Sequence, residues 1–339
     1  MLAGYRRRCG SVVIAIVGVG NSGAHAAQAL RRLRPGVPLA LIDHDRDTAA
    51  SMASILGEQT VVVESLTALD APASVVLLCV PAGQHLGLAE VALSSGAHVV
   101  SIGDSIGDVK ALLALDAVAR SVNRAVVVGA GFSPGMSCVL ARHAASLFDE
   151  VHEISVARSG TGGPDCARQH HRSLGESSLE WRNGGWMQMK GGSGRRLAWF
   201  PEPIGALDCY RAALSEPILL QRSFRRSQRL SARVAATRRD RLTRWLPMMR
   251  APHPDGGPGG LRVEVWGERA GVAEVMVYGA ADHPGRVAGS MAAVVAAGLL
   301  DGALPVGRAY GLSEVVDPLA TLTALATLGV VASVFEGAA

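Results

Sequence analysis

The chain has few aromatic residues, 4% of its 339 residues, and only two lysines, Lys110 and Lys190. So few rings suit an Ala- and Val-rich α/β core better than an all-β sandwich. Two lysines leave a covalent Schiff-base mechanism little choice of amine, and Lys190 sits in a glycine turn, a poor place for a desolvated amine. The five cysteines, Cys9, Cys79, Cys138, Cys166 and Cys209, lack CxxC spacing. Neither a disulfide framework nor a zinc site is expected, and the thiols read as reduced packing residues in a cytoplasmic protein. No apolar run approaches the ~20 residues of a membrane span; residues 287–300 read as a buried helix. The start, "MLAGYRRRCGSVVIAIVGVGNSG", puts arginines before a short apolar run as a secretory signal would. The run leads instead into a glycine turn with no cleavage pattern, so a frayed tail before a buried strand is expected. Neither GxSxG nor GxxxxGK[ST] occurs, which counts against hydrolase and nucleoside-triphosphatase chemistry.

What is present is a βαβ rhythm. Apolar strands are expected at residues 12–17, 39–42, 60–63, 75–80, 98–102 and 125–128, with helices near 21–33, 45–56, 85–94 and 109–119. This order predicts a doubly wound parallel sheet with right-handed crossovers, a Rossmann arrangement. After about residue 148 the pattern changes to alternating apolar residues and glycine-rich hairpin signals. The fold class is therefore α/β: a doubly wound first domain (1–132), a second mixed α/β domain (133–309), and a C-terminal helical segment (310–339) packing back on the first.

Gly18-x-Gly20-x-x-Gly23 follows the first strand and opens a helix, and Asp43 ends the second strand about twenty residues later. In that context the glycines form a dinucleotide fingerprint. Gly18 allows the tight turn, Gly20 the approach of the pyrophosphate, and Gly23 close helix packing; Val19, Asn21 and Ser22 complete the cradle. Asp43 would accept from ribose hydroxyls and disfavour a 2′-phosphate, whereas Arg46 could pair with one. The cofactor is NAD or NADP, with NAD favoured. Val80, Pro81 and Ala82, after the fourth strand, would flank it.

A second glycine turn, "GAGFSPGMSCVLA", leaves the sixth strand at Gly129. No βαβ unit or trailing acid accompanies it, so a second dinucleotide site is not expected. Ser133 reads as an N-cap with Pro134 at the first helical position. Ser133, Pro134, Gly135 and Met136 would then present helix amides to a substrate anion; the alternative is an interdomain hinge.

The order of GVGNSG, "VLLCVPAGQH", "GAHVVSIGD" and "GAGFSPGMSCVLA", with the later "VYGAADHPGRVAGSMAAVVAAGLLDG", resembles the saccharopine dehydrogenase and reductase family. The likeness covers residues 12–147 and, more loosely, 260–312. It implies a Rossmann domain joined to a mixed α/β domain, NAD(P)-dependent redox chemistry at a carbon–nitrogen bond of an amino-acid-derived substrate, and a homodimer. An imine or aldehyde reductase of a specialised pathway, or a non-catalytic dinucleotide sensor, are the alternatives. The family commonly has an acid at the end of the fifth strand; Ser101 stands there, with Asp104 three positions on.

Candidate proton carriers are His85, Asp104 and His171, each weighed against a helix-cap, surface or loop role. Arg158 or Arg172 could hold a substrate carboxylate in bidentate fashion. The His170–His171 pair lacks further ligands at suitable spacing, so no metal is expected. Asp282 reads as an N-cap-type residue before a helix or as a substrate contact. Ten arginines against Asp240 alone lie between Arg222 and Arg250, so this stretch accounts for the net charge of +4. Arg222, Arg225, Arg226, Arg229 and Arg233 recur at helical spacing, with Phe224, Leu230, Val234, Leu242 and Trp245 as an apolar face. A solvated helix over 215–249 is expected, not a nucleic-acid or membrane surface, leaving a small-molecule substrate as the partner.

Overall fold

The computed structural model describes residues 12–248 and 251–335; Cys9, the arginines at the start of the chain and Arg250 lie outside the described residues. In chain order the first elements are β1 (Ile14–Val17), α1 (Asn21–Leu33), β2 (Leu39–Ile42), α2 (Arg46–Leu56), β3 (Thr60–Val62), β4 (Val75–Leu78), α3 (His85–Ser94), β5 (His98–Ser101), α4 (Ile106–Ala114), α5 (Asp116–Ser121), β6 (Ala125–Val128) and α6 (Met136–Ala145). There follow β7 (Glu150–Arg158), α7 (Pro164–Ser173), β8 (Ser178–Arg182), β9 (Gly185–Met189), β10 (Arg196–Trp199), β11 (Ala206–Arg211), α8 (Glu216–Ser223), β12 (Arg229–Ala235), α9 (Arg238–Thr243), β13 (Gly259–Arg269), β14 (Val272–Asp282), α10 (Pro284–Leu300), β15 (Arg308–Gly311), α11 (Pro318–Thr327) and β16 (Ser333–Val334).

The first sheet has seven strands in the order β15-β6-β5-β4-β1-β2-β3, every pair parallel. Its inner strands are continuous apolar runs because helices cover both faces; every residue of β1, β2, β4 and β6 is buried. The strand order reverses between β1 and β4, which opens a crevice at the carboxyl edge. Strand β15 arrives from far downstream to extend this sheet beside β6, so the expected division at 309/310 falls inside a strand. The division at 132/133 falls in the turn between β6 and α6. Helix α10 lies along α1, and a Cβ at Gly289 would overlap the Ser22 carbonyl, which is why a glycine stands at that crossing.

The second sheet runs β10-β11-β12-β7-β13-β14-β16, with the β8–β9 hairpin attached to β12. Its pairs are antiparallel apart from β12 and β7. Helices α6 and α8 pack on it, over the buried Ile154, Val156, Leu230, Ala232, Val234, Val263 and Val265. The opposite, outer face carries Arg196, Arg229, Arg233 and Arg262 with Glu153 and Glu264.

The long basic helix expected over 215–249 does not form. Helix is confined to α8 and the short α9, while residues 229–235 make β12 near the centre of the second sheet. The reason is alternation: Leu230, Ala232 and Val234 point into the core and Arg229, Ser231 and Arg233 to the outer face. Pairing with β7, β8 and β11 consumes the strand's backbone groups. Among the described residues no helix is long and apolar enough to cross a membrane.

Candidate active site

A cavity of about 200 Å³ lies between the carboxyl edge of the first sheet and the second domain. Its floor is the first glycine turn. Gly18 has φ +88, and a Cβ there would overlap the Cys79 carbonyl; a Cβ at Gly23 would overlap the Gly18 carbonyl. Gly20 differs, since a Cβ there meets nothing within 4 Å: the space above it is open, on the cavity side. Gly20 is also the N-cap of α1, with no side-chain cap and no acid in the first turn. The helix amides and dipole are therefore free for an anion, and the cradle fits a dinucleotide pyrophosphate. Asp43 accepts from the Val19 amide at 2.5 Å and the Asp45 amide at 2.9 Å, which ties the turn to the end of β2. Arg46 points instead to Glu64, 2.7 Å away, with both side chains exposed.

Asn21 joins the two domains at this floor. Its Nδ2 donates to the Gly162 carbonyl at 2.8 Å and to the Asp255 carbonyl at 2.7 Å. The cavity wall above α1 is the Val80-Pro81-Ala82 loop, braced from behind by His85. His85 Nε2 lies 3.0 Å from the Val80 carbonyl and Nδ1 2.9 Å from Ser101 Oγ. A carbonyl only accepts, so Nε2 carries the proton and Nδ1 accepts from Ser101. Burial holds His85 below its ordinary value, and the neutral ring is locked between two loops. Ser101, standing where the resemblance implies an acid, thus serves this histidine.

Asp104 and Arg158 meet across the domain boundary. Asp104 follows β5 at the carboxyl edge; Arg158 ends β7 in the second sheet. Arg158 Nη1 donates to Asp104 Oδ2 at 3.0 Å and to the Ser133 carbonyl at 2.6 Å, and both residues line the cavity. Burial opposes the guanidinium's charge, but Asp104 and Glu216 outweigh it and hold Arg158 above its ordinary value. Glu216, itself buried, accepts the Ser133 hydroxyl proton. One buried cation is thus flanked by two carboxylates.

The second glycine turn differs from the expectation. Ser133 does not cap a helix: its hydroxyl donates to Glu216 and its carbonyl accepts from Arg158, and no helix amide bonds to it. Helix α6 starts at Met136, not Pro134, with Gly135 as N-cap at φ +136. Its first amides are consumed within the turn, Met136 N–H by the Gly131 carbonyl (3.0 Å), Ser137 by Phe132 (3.3 Å), and Cys138 and Val139 by Gly135 (2.9 and 3.0 Å). No amide of Met136 to Val139 is free for a substrate anion. Of the four residues singled out in this turn, Ser133 reaches the cavity, while Pro134, Gly135 and Met136 are buried.

His171 and Arg172 lie away from the cavity. His171 Nε2 donates to the Thr243 and Leu246 carbonyls at 3.1 and 3.2 Å, and the exposed Arg172 reaches Gln169 at 3.2 Å. His170 Nε2 lies 3.3 Å from the Ala235 carbonyl; burial, and then Arg158, push this imidazole down to about 4. Asp282 is paired with Arg286. Among the described residues no three His, Cys, Asp or Glu side chains are grouped as metal ligands. Reading the sequence missed Cys166 and Gln169, which face the cavity from α7 beside Asp165. The signal was Gly163-Pro164: proline at the first helical position marks a helix whose residues 165, 166 and 169 share one face.

Residues 12–101 match the Gfo/Idh/MocA oxidoreductase family, NAD-binding Rossmann fold; the first domain is an NAD-binding domain of oxidoreductase type. Among curated proteins none matches the sequence. In three dimensions the chain is similar to apo saccharopine dehydrogenase (L-Glu forming) from Saccharomyces cerevisiae, with TM-score 0.71, 14% identity, and coverage of 96% of this chain and 100% of that one. It is also similar to a probable dehydrogenase from Thermotoga maritima, with TM-score 0.52, 12% identity, and coverage of 93% and 95%. At these identities the likeness is one of fold.

Proposed function

We propose that this protein is an NAD(P)-dependent dehydrogenase or reductase acting on the carbon–nitrogen bond of an amino-acid-derived substrate. The observation that carries the reading is the Arg158–Asp104 pair, 3.0 Å apart, one residue from each domain, beside the open side of Gly20. A cation and an anion side by side match a substrate that has a carboxylate and a nitrogen cation on neighbouring atoms. The bound dinucleotide supplies or accepts hydride; the chain's own residues do the rest. Gly20, Asn21 and Ser22 hold the pyrophosphate on the α1 amides. Arg158 grips the substrate carboxylate, and Asp104 takes the proton from the substrate nitrogen or returns it. Phe132 and the Asn21 bridge to Gly162 and Asp255 limit water between the domains. NAD is the preferred form, because Asp43 ends β2 and Arg46 is drawn off to Glu64. The four described cysteines are free thiols, which suits the cytoplasm. A homodimer accords with the exposed Trp266, Leu197 and Trp199 of the second sheet.

The test is a titration with NADH and NADPH, followed by turnover assays over amino acids, secondary amines and imines formed from 2-oxo acids. Asp104→Asn is expected to lower kcat about 10²-fold or more with a modest change in KM, and Arg158→Lys to raise KM about tenfold. Dinucleotide binding without turnover of any nitrogen substrate would overturn the carbon–nitrogen assignment.

A further inference from the structure

The arginine-rich segment plays no part in the cleft; within it Arg222 is paired with Glu314 and Arg229 with Glu153, while Arg241 lies over Tyr210 and Arg244 over Trp245. Arg233 differs from these four in being buried with neither a carboxylate nor a ring as partner among the described residues. It sits on the outer face of β12, 6% exposed, and its recorded hydrogen bond is from Nε to the Gly194 carbonyl at 3.3 Å. Its Nη1 is buried and has no partner. The nearby carboxylates are committed elsewhere. Glu264 takes Arg196 on one oxygen at 2.6 Å and Arg262 on the other at 2.7 Å. Glu180 takes Arg182 at 2.5 Å and Arg211 at 2.6 Å.

Arg233 also borders a small pit of about 10 Å³, room for one water-sized group. Ser155 and Ala157 of β7 form its floor; Arg233 stands on β12 to one side, Arg262 and Glu264 on β13 to the other, and Arg196 closes it from β10. Three guanidiniums thus face one carboxylate around an opening of atomic size. Buried charge is retained where a counter-charge satisfies it, and guanidinium forks match the oxygens of phosphate and carboxylate. Burial lowers the Arg233 pKa; Glu180 opposes this, and the neighbouring Arg211, Arg196 and Arg229 add to it, in keeping with a cation whose nearby carboxylate is shared with other guanidiniums.

We propose that this pit is an oxyanion site: one oxygen of a phosphate or carboxylate enters it and accepts from Arg233, with Arg196 and Arg262 at the rim. The pit shares no lining residue with the dinucleotide cradle or the cleft. The oxyanion is either a free small anion or a side-chain carboxylate of a second copy of this chain, and the test distinguishes the two. Inorganic phosphate is titrated calorimetrically against chloride at constant ionic strength, with NADH saturating, on wild type, Arg233→Gln and Arg196→Gln; sedimentation of the same three proteins follows their self-association. For a free anion, phosphate binds wild type, at least tenfold more weakly Arg233→Gln and several-fold more weakly Arg196→Gln, with chloride inert. For a partner's carboxylate, phosphate has no effect and self-association weakens at least tenfold in Arg233→Gln and several-fold in Arg196→Gln. If Arg233→Gln does not fold, Arg196→Gln, altered at a partly exposed side chain, decides by the same two readings. Variants that match wild type in both phosphate binding and self-association would overturn the proposal.

Discussion

The two glycine turns look alike in sequence, GVGNSG at residue 18 and GAGFSPG at residue 129, yet they do opposite things with their backbone. The first keeps its helix amides uncapped and opens Gly20 to the cavity. The second folds onto itself: Gly131 N–H donates to the Pro134 carbonyl at 2.9 Å, and the Gly131 carbonyl accepts from Met136. It spends its polar groups internally, and Ser133 spends its own on Arg158 and Glu216. A glycine turn is a binding element where its donors remain unspent, and a joint where they are spent.

The sharpest way to break this comparison is to add a methyl group to each turn. Gly135→Ala forces a side chain onto φ +136 and into the Gly131 carbonyl, so it is expected to cost more than about 3 kcal/mol of stability, read by urea unfolding. Gly20→Val meets open space at an ordinary φ of −64, so its stability stays within about 0.5 kcal/mol of wild type. Its dinucleotide affinity falls about 100-fold. If Gly135→Ala folds normally, the joint reading of the second turn is wrong.

A third expectation concerns the braces behind the cleft. Burial holds His85 and His170 below the ordinary histidine value of 6.5, His170 at about 4. The unfolded chain therefore binds these protons first as the solution is acidified. The stability they contribute is complete above about pH 6.5 and is lost as pH falls towards 4. Thermal unfolding across that window should show the loss, and His85→Gln should reduce it without abolishing dinucleotide binding. The smallest effect belongs to Arg46. Exposed and paired with Glu64, its replacement by Ala is expected to change the NADH to NADPH affinity ratio less than about threefold.

Much of the first domain was legible because each strand is an unbroken apolar run between turn signals. β2, β6 and α3 fall where the periodicity put them, and β1, β3, β4 and β5 differ from expectation by two residues or fewer. The basic segment was misread for a definite reason. Arg229 and Arg233 are four apart, a spacing that shares a face both in a helix and, being even, in a strand; only the alternation of Leu230, Ala232 and Val234 with them distinguishes the two. Strand β15, four residues with an arginine and a glycine, has no signature of its own and exists through its pairing with β6. In the site, the first glycine turn and the Asp104–Arg158 pair were readable as residue types. Their meeting across 54 positions of chain was not, because it depends on how the second sheet docks on the first. His85 lines the cavity, but its two hydrogen bonds, and so its neutral bracing role, could be seen only with Val80 and Ser101 in position.

Whether the first turn holds the dinucleotide is decided by calorimetric titration of NADH into wild type and Gly20→Val. Wild type is expected to bind NADH saturably at one site, and the variant, unfolding at the same temperature, about 100-fold more weakly. Equal affinity in the two proteins, or no NADH binding to wild type, would contradict binding at the first turn.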